Sequence, residues 1–274
     1  MIHRNIIVHI GLHKTGTTFL QKHVFPKITS LTIIRAWHTH RQITDMVFKE
    51  TVLITDEGIS GDPWKGQYFE EFKRNILKIK HLYGDVKIIF GIRKHDAFIL
   101  SLYKQYLHQK GYKGIEHMYN TNDTGILKLD DLFFNERILL LKKEFTNVFV
   151  YSQESLKAKP SRFFKALFQF MQVTTDLGLE TLNNKEENVG VSTQVQISWL
   201  KKMNYINHKL SKTSFLPSLY NPKFIKYKIT PRDICQNRLK NMQSKKFELP
   251  LDLKNHIKSY YAEDWEKAIS YINY

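Results

Sequence analysis

Short apolar runs alternate with longer amphipathic stretches through the first two thirds of the chain. The apolar runs are residues 5–10, 32–36, 51–55, 86–92 and 147–152. Runs that are apolar at nearly every position are typical of strands covered on both faces. Helical spacing separates several of them, as in residues 69–82 and 132–145. The pattern predicts an α/β fold of three layers, α/β/α, with a central, mostly parallel five-stranded sheet.

The alternation ends near residue 180, and two helical stretches, residues 195–209 and 253–272, follow it. Between them, residues 223–246 carry eight basic side chains against Asp233 alone. Such a run is typical of a solvated surface, and the alternative is a contact for an acidic substrate. We predict a single domain over residues 1–274, with an α/β core in 1–180 and a mainly helical portion in 181–274.

Composition narrows the class of protein. The chain has 274 residues, of which 42% are hydrophobic, a composition typical of a globular protein. Because the sequence contains no apolar run of 18 residues, we expect no membrane span. Cys235 is the only cysteine and cannot form an intramolecular disulfide. The N-terminus enters the first strand without a secretory signal, which indicates an intracellular protein.

Charge favours an anionic partner, because 42 Lys and Arg outnumber 26 Asp and Glu and give a formal net charge of +16. Nucleic acid is one such partner. The sequence nevertheless lacks zinc-finger spacing, an RNA-recognition aromatic motif and a basic zipper, so a nucleic-acid-binding protein ranks below an enzyme.

A glycine loop follows the first strand directly and leads into a predicted helix. It reads Gly-Leu-His-Lys-Thr-Gly-Thr-Thr over residues 11–18, and Gly11 and Gly16 have the spacing of a phosphate-binding loop. Backbone N–H groups and the helix N-terminus can surround an anion there. In loops that bind ATP or GTP the lysine follows the second glycine, whereas here Lys14 precedes Gly16. This spacing disfavours a small-molecule kinase, which remains the alternative enzyme.

The loop, extended to GLHKTGTTFLQ, resembles the 5'-phosphosulfate loop of sulfotransferases that use 3'-phosphoadenosine 5'-phosphosulfate (PAPS). The resemblance implies a P-loop fold and nucleotide binding by the loop residues His13, Lys14, Thr15, Gly16, Thr17 and Thr18. It also implies that Lys14 is catalytic, since its ammonium can stabilise the leaving phosphate oxygen. No metal is required in this family.

Two more segments resemble the same family. Arg93 ends the fourth predicted strand and Ser101 lies early in the next helix, as in the family's 3'-phosphate site. Because Lys14, Arg93 and Ser101 are all present, we disfavour a degenerate relative that binds nucleotide without turnover. Residues 188–192 resemble an Asn-x-x-x-Ser loop near the nucleotide, although Ser192 is equally suited to cap the helix that follows. The closing residues 260–265 resemble the family's C-terminal helix.

Sulfuryl transfer to an alcohol needs a general base, and three residues are candidates. Glu57 follows an apolar strand and should emerge at the edge of the sheet where ligands gather, which makes it our preferred base. His38 and His40 are the rivals, because a neutral imidazole suits this role near neutral pH. Their H-x-H spacing also invites a zinc site, but no third ligand is evident.

The resemblance further implies partners and a location. The donor is PAPS, with 3',5'-adenosine bisphosphate as product, and the acceptor is a carbohydrate or glycolipid, as in bacterial polysaccharide sulfation. Trp37, Trp64 and Tyr68 are aromatic candidates for stacking on a sugar, although Trp and Tyr are more often partly buried core residues. We expect a cytoplasmic protein, either free or peripheral to the inner membrane, that has no specific nucleic-acid partner. Whether it is a homodimer stays open.

Overall fold

The structure is a computed structural model that describes residues 5–35, 51–174, 191–211, 219–220, 225–227, 229–239, 244–272 and 274. It divides into two compact units. The first unit comprises Met1–Phe98, Ile126–Glu187 and Asn255–Tyr274, and the second comprises Ile99–Gly125 and Asn188–Lys254. Whether the chain acts as a single domain stays a prediction.

A parallel five-stranded sheet lies at the centre of the first unit. Its strands are β1 (Asn5–Gly11), β2 (Leu31–Ile34), β3 (Thr51–Thr55), β4 (Lys87–Ile92) and β5 (Val148–Ser152). They pair in the order β2-β3-β1-β4-β5. All five predicted strands are confirmed, and every pairing between them is parallel. The chain passes over β1 on its way from β3 to β4, so the carboxyl end of β1 is the switch point where such sheets bind ligands.

Helices precede and follow the strands. They are α1 (Thr17–Phe19), α2 (Tyr68–Tyr83), α3 (His95–His108), α4 (Ile115–Met118), α5 (Phe134–Glu144), α6 (Gln153–Ala158), α7 (Pro160–Met171), α8 (Gln194–Leu210), α9 (Pro231–Asp233), α10 (Leu251–Tyr260) and α11 (Ala262–Ser270). A π-helical turn, Leu20–Val24, and a 3-10 turn, Phe25–Lys27, extend α1. The α/β class and the layer of helices on each face of the sheet are confirmed.

Alternate residues of the strands face the two helical layers. Ile7 and Ile89 belong to the core cluster that includes Phe25, after α1, and Phe163 of α7. On the other face, the ring of Phe90 lies 5.7 Å from that of Phe72 in α2. Burying one such side chain contributes roughly 1.5–3 kcal/mol to the free energy of unfolding. Both helical layers therefore stabilise the sheet.

The predicted helix over residues 253–272 is wrong in one respect, because it is broken at Tyr261 into α10 and α11. The Tyr261 ring stacks on His95 with centroids 4.4 Å apart, and its hydroxyl donates to the Leu129 carbonyl at 2.9 Å. Asp264, in the first turn of α11, lies 3.1 Å from His95 Nε2. These long-range contacts fix the first turn of α3 and outweigh the local helical pattern.

The second unit has a buried amide at its centre. Asn204 of α8 donates at 2.7 Å to the Leu107 and Gly111 carbonyls, which belong to the last turn of α3 and the residues after it. Its oxygen accepts a hydrogen bond from the Tyr220 hydroxyl at 2.6 Å. The thiol of Cys235 is buried in the same unit. In the part of the chain that the structure describes, no helix is both long enough and apolar enough to cross a membrane.

Candidate functional site

The loop between β1 and α1 is set by two residues with left-handed backbones. Lys14 has φ 66° and Gly16 has φ 95°. Glycine adopts this conformation freely, whereas a lysine does so at a cost of roughly 1–2 kcal/mol. Gly16 is the N-cap of α1, and no side chain caps the helix. The N–H groups of the first turn can therefore bind an anion, as the loop motif predicts.

Glu57 lies beside this loop, because β3 is the neighbour of β1 in the sheet. It begins the 3-10 turn Glu57–Ser60, which Asp56 caps by accepting the Gly58 N–H at 2.8 Å. Burial raises the pKa of Glu57 above its ordinary value, while the nearby Lys14 ammonium and the Thr17 hydroxyl oppose the rise. The structure thus brings Lys14, Thr17 and Glu57 together.

His13 lies beside two hydroxyl groups. Its Nδ1 lies 3.4 Å from both the Ser60 and the Tyr68 hydroxyl oxygens. Burial lowers the pKa of His13 to about 4, so the imidazole is neutral at physiological pH. Tyr68 is fully buried with its ring 4.4 Å from the Arg137 guanidinium, so the prediction that it stacks on a sugar is wrong. That His13 binds nucleotide stays a prediction.

Arg93 follows β4, on the other side of β1. Its Nη1 donates to the Lys14 carbonyl at 3.1 Å, which joins it directly to the loop. Its buried Nε has no hydrogen-bond partner among the described residues. Burial lowers the pKa of Arg93, and the charges of Glu154 and Asp96 oppose this effect. A guanidinium with an unsatisfied donor beside an uncapped helix start suits a phosphate.

Four predicted site residues lie in the second unit or outside the described residues. Ser101 lies in α3 and Ser192 in the residues before α8, and both belong to the second unit. Thr193 is the N-cap of α8, with its hydroxyl accepting the Gln196 N–H at 3.3 Å, so the prediction that Ser192 caps the helix is wrong by one residue. His38 and His40 lie outside the described residues.

A cavity of about 260 Å³ opens beside Glu57 at the carboxyl ends of β2 and β3. It is lined by Thr18, Gln21, Arg35, Thr55, Asp56 and Glu57, all of them polar. Arg35 Nη2 donates to the Gln21 carbonyl at 2.6 Å and so joins the side of the cavity after β2 to the side after α1. Among the described residues, no group of three or more His, Cys, Asp or Glu is placed to hold a metal ion.

Sequence reasoning missed several of these residues. Arg35 and Thr55 carry no motif, and only the order of the strands places them beside Gln21, the last residue of the loop motif. Tyr151 of β5, which is fully buried behind the loop, was also missed. One signal could have revealed it: Gly91 interrupts an apolar strand, and an isolated glycine in a strand indicates close approach of another group.

Comparisons with known proteins agree with this geometry at the level of the fold. No protein-family model matches the sequence, and no curated protein matches it significantly. A crystal structure of a sulfotransferase from Alicyclobacillus acidocaldarius superposes with a TM-score of 0.58 and 11% identity, over 99% of this chain and 96% of that one. This chain has the sulfotransferase fold. Mouse sulfotransferase SULT7A1 complexed with PAP matches this fold with a TM-score of 0.51 and 10% identity, over 97% of this chain and 87% of that one.

The sulfotransferase fold confirms the resemblance seen in the sequence at the level of architecture. In this chain, the fold places the loop of residues 11–18 at the switch point of the sheet, between Glu57 on one side and Arg93 on the other. Lys14 is exposed at the loop, where a ligand can reach it.

Proposed function

We propose that the protein is a sulfotransferase that moves a sulfuryl group from PAPS to a hydroxyl or amine of an acceptor. The observation that carries the proposal is that Glu57, after β3, lies beside the loop that carries Lys14, so that the carboxylate is close enough to the ammonium to feel its charge. Sulfuryl transfer needs a cation and a base, since the leaving phosphate oxygen gains negative charge and the acceptor hydroxyl must lose a proton.

The donor nucleotide would be held by the loop and by Arg93. The uncapped start of α1 and the hydroxyls of Thr17 and Thr18 suit the 5'-phosphosulfate. The unsatisfied Nε of Arg93 suits a phosphate, and Ser101 would add a hydroxyl at the 3'-phosphate, as the sequence motif indicates. The PAP in the mouse enzyme supports this proposal, because PAP is the nucleotide left when PAPS gives up its sulfuryl group.

The reaction would proceed in line. Glu57 takes the proton of the acceptor hydroxyl. The oxygen of that hydroxyl forms a bond to sulfur while the bond between sulfur and the bridging phosphate oxygen breaks. The bridging oxygen keeps the electron pair and becomes a phosphate oxygen of the bisphosphate. Lys14 stabilises this growing charge. The products are a sulfated acceptor, the bisphosphate and a proton that Glu57 releases to solvent.

We propose a carbohydrate or the sugar of a glycolipid as acceptor. Hydroxyl, amide, carboxylate and guanidinium groups line the cavity beside Glu57, and they match the hydrogen-bonding groups of a sugar. His38 and His40 stay the rival bases. Glu57 is preferred because its carboxylate lies near the Lys14 ammonium of the loop that would bind the donor.

Transfer of radiolabelled sulfate tests the proposal. The purified protein is incubated with labelled PAPS and either oligosaccharides, glycolipids or simple phenols, and labelled products are separated. We expect a labelled sugar, formed with loss of PAPS and reduced at least 100-fold in Glu57→Gln. His38→Asn and His40→Asn are the matched variants for the rival bases. Labelled phenols alone would contradict the acceptor, and phosphoryl transfer from Mg·ATP without sulfate transfer would contradict the enzyme class.

A further inference from the structure

The helix α8 has one buried side and one exposed side within the second unit. Its buried side packs into the unit through residues at helical spacing, among them Ile197, Leu200, Asn204 and Asn207. The opposite side carries large apolar and basic side chains that are exposed, namely Trp199, Lys202, Tyr205, Ile206 and Lys209. These five residues are called the α8 face below. The rings of Trp199 and Tyr205 are each 48% exposed, although both are large enough to anchor an interface.

The chain that contains the α8 face is both basic and apolar at its surface. Residues 199–229 contain seven lysines and no Asp, Glu or Arg. In the part of the chain that the structure describes, twelve large hydrophobic side chains are exposed, and six of them lie in this stretch. Three belong to the α8 face, and the others are Ile225, Tyr227 and Ile229. Single exposed apolar side chains are ordinary, whereas a group of them indicates an interaction surface.

Hydrogen bonds to α8 precede and follow Ile225, Tyr227 and Ile229 along the chain. Before them, the Tyr220 hydroxyl donates to the Asn204 side chain at 2.6 Å. After them, the Cys235 carbonyl accepts a hydrogen bond from the Gln196 amide at 3.1 Å. The three exposed side chains therefore lie between two points of attachment to the helix that carries the α8 face.

Lysine and aromatic side chains are paired on the α8 face. Lys202 Nζ lies 5.8 Å from the centre of the Trp199 ring, and Lys209 Nζ lies 5.5 Å from the centre of the Tyr205 ring. Each lysine can leave its apolar stem beside the ring while its ammonium reaches outward to an anion. Tryptophan and tyrosine rings flanked by lysines are typical of helices that lie in the interface of a membrane.

The isoleucines distinguish among the anionic partners that the lysines could attract. An aliphatic side chain gains by leaving water for an apolar environment, which the acyl chains of a lipid offer and a phosphate backbone or a sugar carboxylate does not. Residues 199–229 also lack arginine, the side chain that nucleic-acid recognition favours. Protein interfaces, in turn, are depleted of lysine at their centres. An anionic lipid surface therefore fits best.

We propose that the α8 face binds the surface of a membrane that contains anionic phospholipids. Trp199, Tyr205 and Ile206 enter the boundary between headgroups and acyl chains, and Lys202 and Lys209 bind the phosphates. This binding needs neither a sulfuryl donor nor an acceptor, so it does not rest on the proposed function. A protein held at such a surface meets glycolipids, which belong to the acceptor class proposed above.

Sedimentation with lipid vesicles tests the apolar and the basic parts of the α8 face separately. Vesicles of phosphatidylcholine with about one third phosphatidylglycerol are compared with vesicles of phosphatidylcholine alone. We expect binding to the anionic vesicles that is weakened about 10-fold in Trp199→Ser/Ile206→Ser. It should be weakened about 10- to 30-fold in Lys202→Gln/Lys209→Gln. Thermal unfolding of each variant shows that it is folded.

Matched double variants in the first unit are the controls. Leu77→Ser/Leu82→Ser removes two exposed apolar side chains of α2, which are 44% and 45% exposed. Lys142→Gln/Lys143→Gln removes two exposed lysines of α5, and Lys142 Nζ lies 5.0 Å from the centre of the Tyr271 ring, much as Lys209 lies over Tyr205. Both controls should bind like the wild type. An equal loss in the controls would assign the binding to the net charge of +16 and overturn the proposal.

Tryptophan fluorescence distinguishes insertion into the interface from adsorption by charge. The chain has four tryptophans, and the Trp199 signal is the part that disappears in Trp199→Phe. We expect lipids brominated on their acyl chains to quench this signal. Absence of vesicle binding, or binding without quenching, would overturn the proposal. So would tighter binding to duplex DNA or to polygalacturonate that is lost in the same α8 variants.

Failure of the proposed function would look different. A wild type that bound anionic vesicles through the α8 face but transferred no sulfate from PAPS would refute the enzyme class and support the membrane surface. Sulfate transfer with vesicle binding that is equal in all variants would do the reverse.

Discussion

Substitutions at Lys14 should change activity and stability independently. The ammonium of Lys14 acts in the proposed catalysis, whereas its backbone conformation affects the stability of the fold. The side chain is exposed, and its charge acts on Glu57 and on His13. The backbone has φ 66°, a left-handed value that glycine accepts and other residues resist. We therefore compare Lys14→Gly and Lys14→Ala, which both remove the ammonium but differ in backbone strain.

The expected magnitudes follow from these two roles. Loss of one preorganised group that stabilises developing charge lowers kcat about 100- to 1,000-fold, or about 2.7–4 kcal/mol. Lys14→Gly relieves roughly 1–2 kcal/mol of left-handed strain and adds roughly 0.5–1 kcal/mol of chain entropy to the unfolded state. It should be about 0–1.5 kcal/mol more stable than Lys14→Ala. Both variants should lose activity equally.

Sulfate transfer and urea unfolding, measured on the same preparations, check this prediction. Lys14→Arg is the matched control for charge, since it keeps a cation and the backbone strain. Activity within tenfold of the wild type in Lys14→Gly would refute the catalytic role of the ammonium. A loss of more than about 2 kcal/mol in the free energy of unfolding of that variant would refute the account of the loop.

Three further predictions concern neighbouring parts of the first unit. Because burial raises the pKa of Glu57 and catalysis needs the carboxylate, kcat/KM should fall as pH drops through a midpoint above that of an ordinary glutamate, and Glu57→Gln should abolish this limb. Asp264→Ala should lower the free energy of unfolding by about 2–6 kcal/mol, since it leaves the Phe134 and Asn135 N–H groups without their acceptor at a cost of about 1–3 kcal/mol each. Exposed Asp252→Ala should cost less than about 1 kcal/mol in the same urea titration. Gly91→Ala should destabilise by about 1–3 kcal/mol through collision with Tyr151, measured by thermal unfolding, and no loss would mean that the tyrosine has another position.

Local patterns predicted the parts of the fold that depend on neighbouring residues. The apolar runs predicted all five strands, because a strand buried on both faces is apolar at nearly every position. The spacing of Gly11 and Gly16 predicted the loop, since a left-handed turn before a helix favours glycine. The apolar run that ends at Thr55 predicted that Glu57 would emerge at the ligand-binding edge.

Contacts between segments that lie far apart in the chain could not be predicted from the sequence. The Tyr151 side chain lies against Gly91 only because β5 pairs with β4, and strand order cannot be read from any local pattern. The break at Tyr261 has the same cause, since it depends on stacking against His95, far away in the sequence. Thr193 rather than Ser192 caps α8 because Gln196 stands three residues after it and completes a capping box. That last signal was present in the sequence.

Calorimetric titration with 3',5'-adenosine bisphosphate tests the central claim most directly. The wild type and Arg93→Ala are titrated with the bisphosphate and, as a control ligand, with Mg·ATP. The account predicts micromolar-range binding of the bisphosphate by the wild type, at least 10-fold weaker binding by Arg93→Ala, and no comparable binding of ATP. A preference for Mg·ATP, or bisphosphate binding that is unaffected by loss of the Arg93 guanidinium, would contradict it.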